Sequence, residues 1–131
     1  MLLKENSIIL LPIDFSKQSL VAVRHSYNIG KLTKAKLIIM HVHKPGAPNQ
    51  ASELEALKQE VLKESGLPVE TLNLEGDIYE QTDKKAEELK AMLVVVGLDT
   101  HVRFRSFMGS NQASKFIKKS PCPVITIRST T

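Results

Sequence analysis

A chain of 131 residues is long enough for one buried core and too short for two ordinary ones, so residues 1–131 are read as a single domain. Hydrophobic residues make up 42% and charged residues 24%, and no apolar stretch approaches the roughly 20 residues that cross a bilayer. The net charge is +4, and the single cysteine, Cys122, excludes an internal disulfide and a cysteine-rich metal site.

Strand and helix patterns then alternate along the whole chain. Ser7 to Ile13 is a continuous apolar run, as expected of a strand buried on both faces. Asp14-Phe15-Ser16 turns it into a helix through about Leu32, with an apolar stripe of Leu20, Val23 and Tyr27, and Asp14 can cap that helix through the Ser16 or Lys17 N–H. Leu37 to Val42 is a second apolar strand, and Lys44 to Asn49 is a loop. Ser52-Glu53-Leu54-Glu55 has the form of a capping box and predicts a helix from there to about Ser65, closed by Gly66-Leu67-Pro68. Val69 to Leu74 alternates polar and apolar residues and reads as a third strand near a sheet edge. Asp77, with Glu80 three residues on, caps a third helix through Lys90.

Met92 to Val96 forms the fourth strand, which the pattern stops at Gly97. A basic loop from Leu98 to Met108 leads to Gly109-Ser110, where a fourth helix begins and runs to Ser120. Ser120-Pro121-Cys122-Pro123 precedes the last strand, Val124 to Ile127, and Cys122 reads there as a structural thiol. Strands separated by helices imply right-handed crossovers and a parallel sheet: a doubly wound, Rossmann-like α/β sandwich of five strands and four helices.

Such sheets bind ligands outside the carboxyl ends of their strands. Asp14, His41-Val42-His43 and Gly97 fall at those ends. A strand, a glycine and a helix opening on Gly109-Ser110 make a phosphate cradle, because free N–H groups and the helix dipole both favour an anion there. His41 and His43, two apart on one strand, share a face and are a candidate metal pair, but no third ligand has suitable spacing, and we assign no protein metal site. Neither a Walker motif nor Gly-x-Gly-x-x-Gly is present, and no nucleophile–base arrangement emerges, so the chain is read as a binding protein and not an enzyme, with weak ATPase or phosphotransferase activity, water being positioned by Asp99 and Thr100, as the minor alternative.

From His101 to Thr131 there are six cations and no carboxylate, which suits phosphate. With no tryptophan and only four Phe and two Tyr, scattered, there is little to stack on bases, and nucleic acid is not the expected partner. Met1 to Asn6 lacks the features of a signal peptide, and together with cysteine usage this points to the cytoplasm and away from membranes.

In order and spacing, these pieces resemble the universal stress proteins of the single-domain type. The resemblance rests on Leu11-Pro12-Ile13-Asp14-Phe15-Ser16 (the family's VPVDgS), Ile39-Met40-His41-Val42, Glu75-Gly76-Asp77, Val94-Val95-Val96-Gly97, Gly109-Ser110 and Pro121-Cys122-Pro123-Val124. It implies strand order 3-2-1-4-5 and a homodimer paired through Val124, Ile125, Thr126, Ile127 and Arg128. It further implies a stress-response regulator binding ATP or AMP, with Mg²⁺ or Mn²⁺ held by the phosphates.

The implied nucleotide contacts are Asp14, Val42, Val96, Gly97, Thr100, Arg103, Gly109, Ser110 and Asn111. Nucleotide binders of this family resemble one another in Gly-x2-Gly-x9-Gly-[Ser/Thr]. Here Thr100 replaces the second glycine and the loop is one residue short. A left-handed backbone at Thr100 would cost roughly 1–2 kcal/mol that glycine avoids. The alternative is therefore a dimeric member of the family that binds no nucleotide and acts through regulatory protein partners.

Overall fold

The computed structural model describes residues 7–99 and 120–129. Strand β1 (Ile8–Ile13) is buried over all but its first residue, and helix α1 (Lys17–Thr33) follows it closely. Ser16, in extended conformation, is the N-cap, and its hydroxyl oxygen accepts from the Ser19 N–H at 3.2 Å. Asp14 is not the cap: one carboxylate oxygen accepts from the Ser16 N–H at 2.9 Å and pins the turn that delivers Ser16. The helix closes on Lys34, left-handed at φ 54°, whose N–H returns to the Gly30 carbonyl.

Strand β2 (Lys36–His43) lies parallel to β1, with Ile8 opposite Lys36 and Ile13 opposite His41. Helix α2 (Ala51–Ser65) begins one residue before Ser52, so the expected capping box is not formed. The Asn49 side chain takes the role instead, its oxygen accepting from the Ala51 N–H at 3.1 Å, while Gln50 sits left-handed at φ 52°. An Asx turn two residues upstream thus outcompetes a serine already inside the first turn.

Strand β3 (Val69–Glu75) pairs in parallel with β2 and forms one edge of the sheet, as its polar alternation predicts. Asp77 does cap helix α3 (Ile78–Glu88), accepting from the Glu80 N–H at 2.9 Å. That helix stops short of Lys90, which turns left-handed at φ 52°.

Strand β4 (Leu93–Asp99) and strand β5 (Val124–Ser129) run in parallel register from Val94 opposite Val124 to Asp99 opposite Ser129. Gly97 therefore does not end β4. The ladder is made by backbone groups, and losing one apolar side chain does not interrupt it. The strand order is β3-β2-β1-β4-β5, as the resemblance implies, and β1 lies at the centre. Three helices lie among the described residues; the expected fourth, from Ser110, falls outside them.

The pleat sends alternate side chains to opposite faces. On one face Ile9, Leu11, Ile13, Leu37, Ile39 and Val95 pack with Ala22 and Val23 of α1 and Leu54 and Val61 of α2. On the other, Leu10, Ile38, Met40 and Val94 pack with Ala86 of α3 and with Ala91. Each fully buried aliphatic side chain contributes about 1.5–3 kcal/mol of burial free energy, which explains why the central strands are uninterrupted apolar runs.

Candidate functional site

The order of the sheet reverses at β1, with β2 on one side and β4 on the other. Crossovers leave in opposite directions there, opening a crevice at the carboxyl ends. Asp14 leaves β1 at that crevice and is exposed. The next residue, Phe15, is left-handed at φ 61°, a conformation that costs a bulky residue roughly 1–2 kcal/mol. Its ring offsets that strain by packing on the first core cluster and meeting the His41 ring edge-on, with centroids 5.0 Å apart and planes at 61°. Backbone strain of this kind concentrates at ligand-binding turns.

His41 is 4% exposed and lies on the α1 and α2 face of β2. Its Nδ1 is 3.1 Å from the Asn49 carbonyl and 3.2 Å from the Asn73 side-chain oxygen. The Asn73 amide nitrogen donates to the same Asn49 carbonyl at 2.9 Å, which fixes the orientation of that amide. With two acceptors facing it, His41 Nδ1 carries the hydrogen. The loop after β2 is thereby tied to β3.

The His43 ring stacks on His41 at 6.1 Å and 29°. Its Nε2 is 3.9 Å from a Glu75 carboxylate oxygen, and its Nδ1 is buried with no hydrogen-bond partner among the described residues. The two histidines share a face, as their spacing requires, but His41 Nδ1 is already spent on the network. No group of three potential metal ligands occurs among the described residues.

Val42 points to the opposite face, where Val96 and Tyr79 also pack on the second core cluster. Asp14 thus directly follows β1 and Val42 is the next-to-last residue of β2, while Val96 and Gly97 lie within β4, which continues to Asp99. Gly97 has a packing reason to be glycine: a Cβ there would lie 2.1 Å from the Gln18 carbonyl oxygen and 2.8 Å from the Ser19 nitrogen. The first turn of α1 rests directly on the β4 backbone, an approach that sequence reading alone missed. Cys122 is half-buried; burial pushes its thiol up, the Ser120 hydrogen bond counteracts this, and the Asp83 carboxylate adds to the rise. That is the environment of an inert thiol.

The family model for the universal stress protein family matches residues 5–128. The chain belongs to that family. Among universal stress proteins it is 29% identical over 137 residues to Universal stress protein MJ0531 of Methanocaldococcus jannaschii, covering 92% of this chain and 81% of that protein. It is 24% identical over 131 residues to Universal stress protein Sll1654 of Synechocystis, covering 91% and 83%. A crystal structure of a universal stress protein in complex with cAMP has a TM-score of 0.78 at 22% identity, covering 97% of this chain and all of that one. The universal stress protein of Archaeoglobus fulgidus in complex with dAMP has a TM-score of 0.68 at 20% identity, covering 93% and 97%. At these identities the structural likeness shows the universal stress protein fold.

The remaining expected contacts, Thr100, Arg103, Gly109, Ser110 and Asn111, lie outside the described residues. One aromatic residue at the carboxyl end of the sheet was missed from the sequence. Tyr79 falls in the first turn of α3, and no motif distinguishes it from a core aromatic. No helix among the described residues is long and apolar enough to cross a membrane.

Proposed function

We propose that this universal stress protein is a regulatory module that binds an adenine nucleotide across the carboxyl ends of β1, β2 and β4. The observation that carries the reading is the convergence of Asp14, Val42, Val96 and Gly97 at the point where strand order reverses. Two family members of the same fold are complexes with cAMP and with dAMP, which share an adenosine-type half and a phosphate. In this chain the Asp14 carboxylate would accept from ribose hydroxyls, and the Val42 backbone would meet the base edge. Gly109, Ser110 and Asn111 would offer N–H groups to phosphate, joined by Arg103 and the Thr100 region. Mg²⁺ or Mn²⁺, if it takes part, would arrive on the phosphates.

A second reading has its own support. Thr100 stands where binders carry glycine, and β5 pairs only with β4 among the described residues, leaving an edge for a second copy. On this reading the protein is a homodimer through Val124 to Arg128 and acts through protein partners without nucleotide.

The test is a search of heat-denatured, freshly purified protein for released adenine nucleotide, followed by thermal unfolding with increasing Mg-ATP or AMP. Binding at a hundredfold excess over Kd stabilises the fold by about 2.7 kcal/mol and raises Tm with ligand concentration. Ser110→Tyr should abolish the rise and leave a folded protein. An empty extract and a flat Tm at millimolar ATP would overturn the first reading in favour of the second.

A further inference from the structure

We propose that Tyr79 forms a wall of the nucleotide crevice and selects a purine by stacking on it. The inference rests on the nucleotide reading above and gives it a residue that the sequence motifs do not mark. Tyr79 is the second residue of α3, and that helix starts immediately after the carboxyl end of β3, so the side chain belongs to the same end of the sheet as Asp14. It is half-buried on the face that carries Val42 and Val96, packed with them on the cluster of Leu10, Ile38, Met40 and Val94. Tyr79 thus stands at the carboxyl end of the sheet, and the side chain keeps part of its surface accessible.

Electrostatics agree with this placement. The Tyr79 phenol resists ionisation first because it is buried, then because the carboxylates of Asp77 and Asp14 oppose a second negative charge nearby. Asp14 directly follows β1, so both side chains belong to the carboxyl end of the sheet. A half-buried ring packed on an aliphatic cluster offers a stacking platform, and a large purine gains more from it than a pyrimidine.

The protein has two tyrosines and no tryptophan, which allows a direct optical test. With Tyr27→Phe in place, Tyr79 is the only tyrosine emitter, and AMP or ATP should quench it in a saturable way. The quench midpoint should match the Kd from thermal unfolding, and the same titration with CTP should need a much higher concentration. Tyr79→Leu, which keeps an apolar side chain on the cluster, should weaken ATP and AMP roughly 10- to 100-fold and bring the ATP and CTP affinities together. Tyr79→Phe should stay within about threefold of the parent, since the ring is retained, and it serves should the leucine variant fold poorly.

Parent protein that binds ATP while Tyr79→Leu binds it equally well, with the same preference over CTP and no quench of Tyr79, overturns this inference and leaves the nucleotide reading standing. Parent protein that binds neither AMP nor ATP overturns both.

Discussion

Replacing Gly97 by alanine tests the close approach of α1 to the β4 backbone. The backbone of Gly97 is not left-handed, so a methyl group meets no conformational penalty; what it meets is α1. The new Cβ would lie 2.1 Å from the Gln18 carbonyl oxygen, 2.4 Å from its carbon and 2.8 Å from the Ser19 nitrogen. Ordinary contact lies near 3.5 Å, so helix and strand must separate by more than about 1 Å. All three obstructing atoms are backbone, and no rotamer change relieves them. Overpacking of this kind costs about 1–3 kcal/mol, a sizeable part of a total stability of about 5–15 kcal/mol. For a chain of 131 residues this corresponds to a Tm drop of about 4–11 °C.

The assay is thermal unfolding by circular dichroism beside a Gly46→Ala control. Gly46 is left-handed at φ 85° with nothing within 4 Å of its Cβ position, so that variant pays only a backbone cost of about 1 kcal/mol. A Gly97→Ala protein as stable as the parent, or less affected than Gly46→Ala, would refute the claim that α1 rests on the β4 backbone. Stability retained with nucleotide affinity lost would instead mean that Gly97 is glycine for the ligand.

The caps give a paired prediction. Asn49→Ala removes the side-chain oxygen that holds the Ala51 N–H and should cost about 1 kcal/mol, whereas Ser52→Ala should stay within about 0.5 kcal/mol; equal effects would restore the capping box. Asp77→Ala should lower stability by about 1 kcal/mol through the Glu80 N–H, read as a shift of the urea midpoint with unchanged slope. Tyr27 is pushed up from 10.0 to about 12, first by burial and then by Glu64, Glu60 and the Glu64 hydrogen bond, with Arg24 opposing. Because the folded state holds that proton more tightly, the contribution is fully present below pH 10 and is lost as pH rises toward 12. Denaturation midpoints of the parent should therefore fall more steeply across that window than those of Tyr27→Phe; parallel profiles would refute the assignment.

The central strands were legible as apolar runs separated by helix-length segments, whereas their order was implied by the family resemblance and not by the pattern. Asp77 was legible as a cap because the competing side chains nearby sit in worse positions. Ser52 misled because Asn49, only three residues upstream, offers the same chemistry with better geometry, and local sequence does not rank the two. Gly97 was legible as glycine but for an incomplete reason, since its demand comes from Gln18 on an element far away in sequence. His41 illustrates the same limit: its partners Asn49 and Asn73 are set by strand register, and no spacing rule connects them. Tyr79 was invisible because a half-buried aromatic at the start of a helix has the same signature whether it serves a core or a crevice.

The turn at Phe15 has a mechanical consequence. Its strained backbone holds only while the ring keeps its seat against His41, and His41 is held by Asn49 and Asn73. The direction in which Asp14 presents its carboxylate is therefore governed in part from β3, two strands away, through a relay of one ring, one imidazole and one amide. Substitution of Asn73, an exposed residue on an edge strand, is therefore expected to loosen the His41 seat on which the Phe15 ring rests.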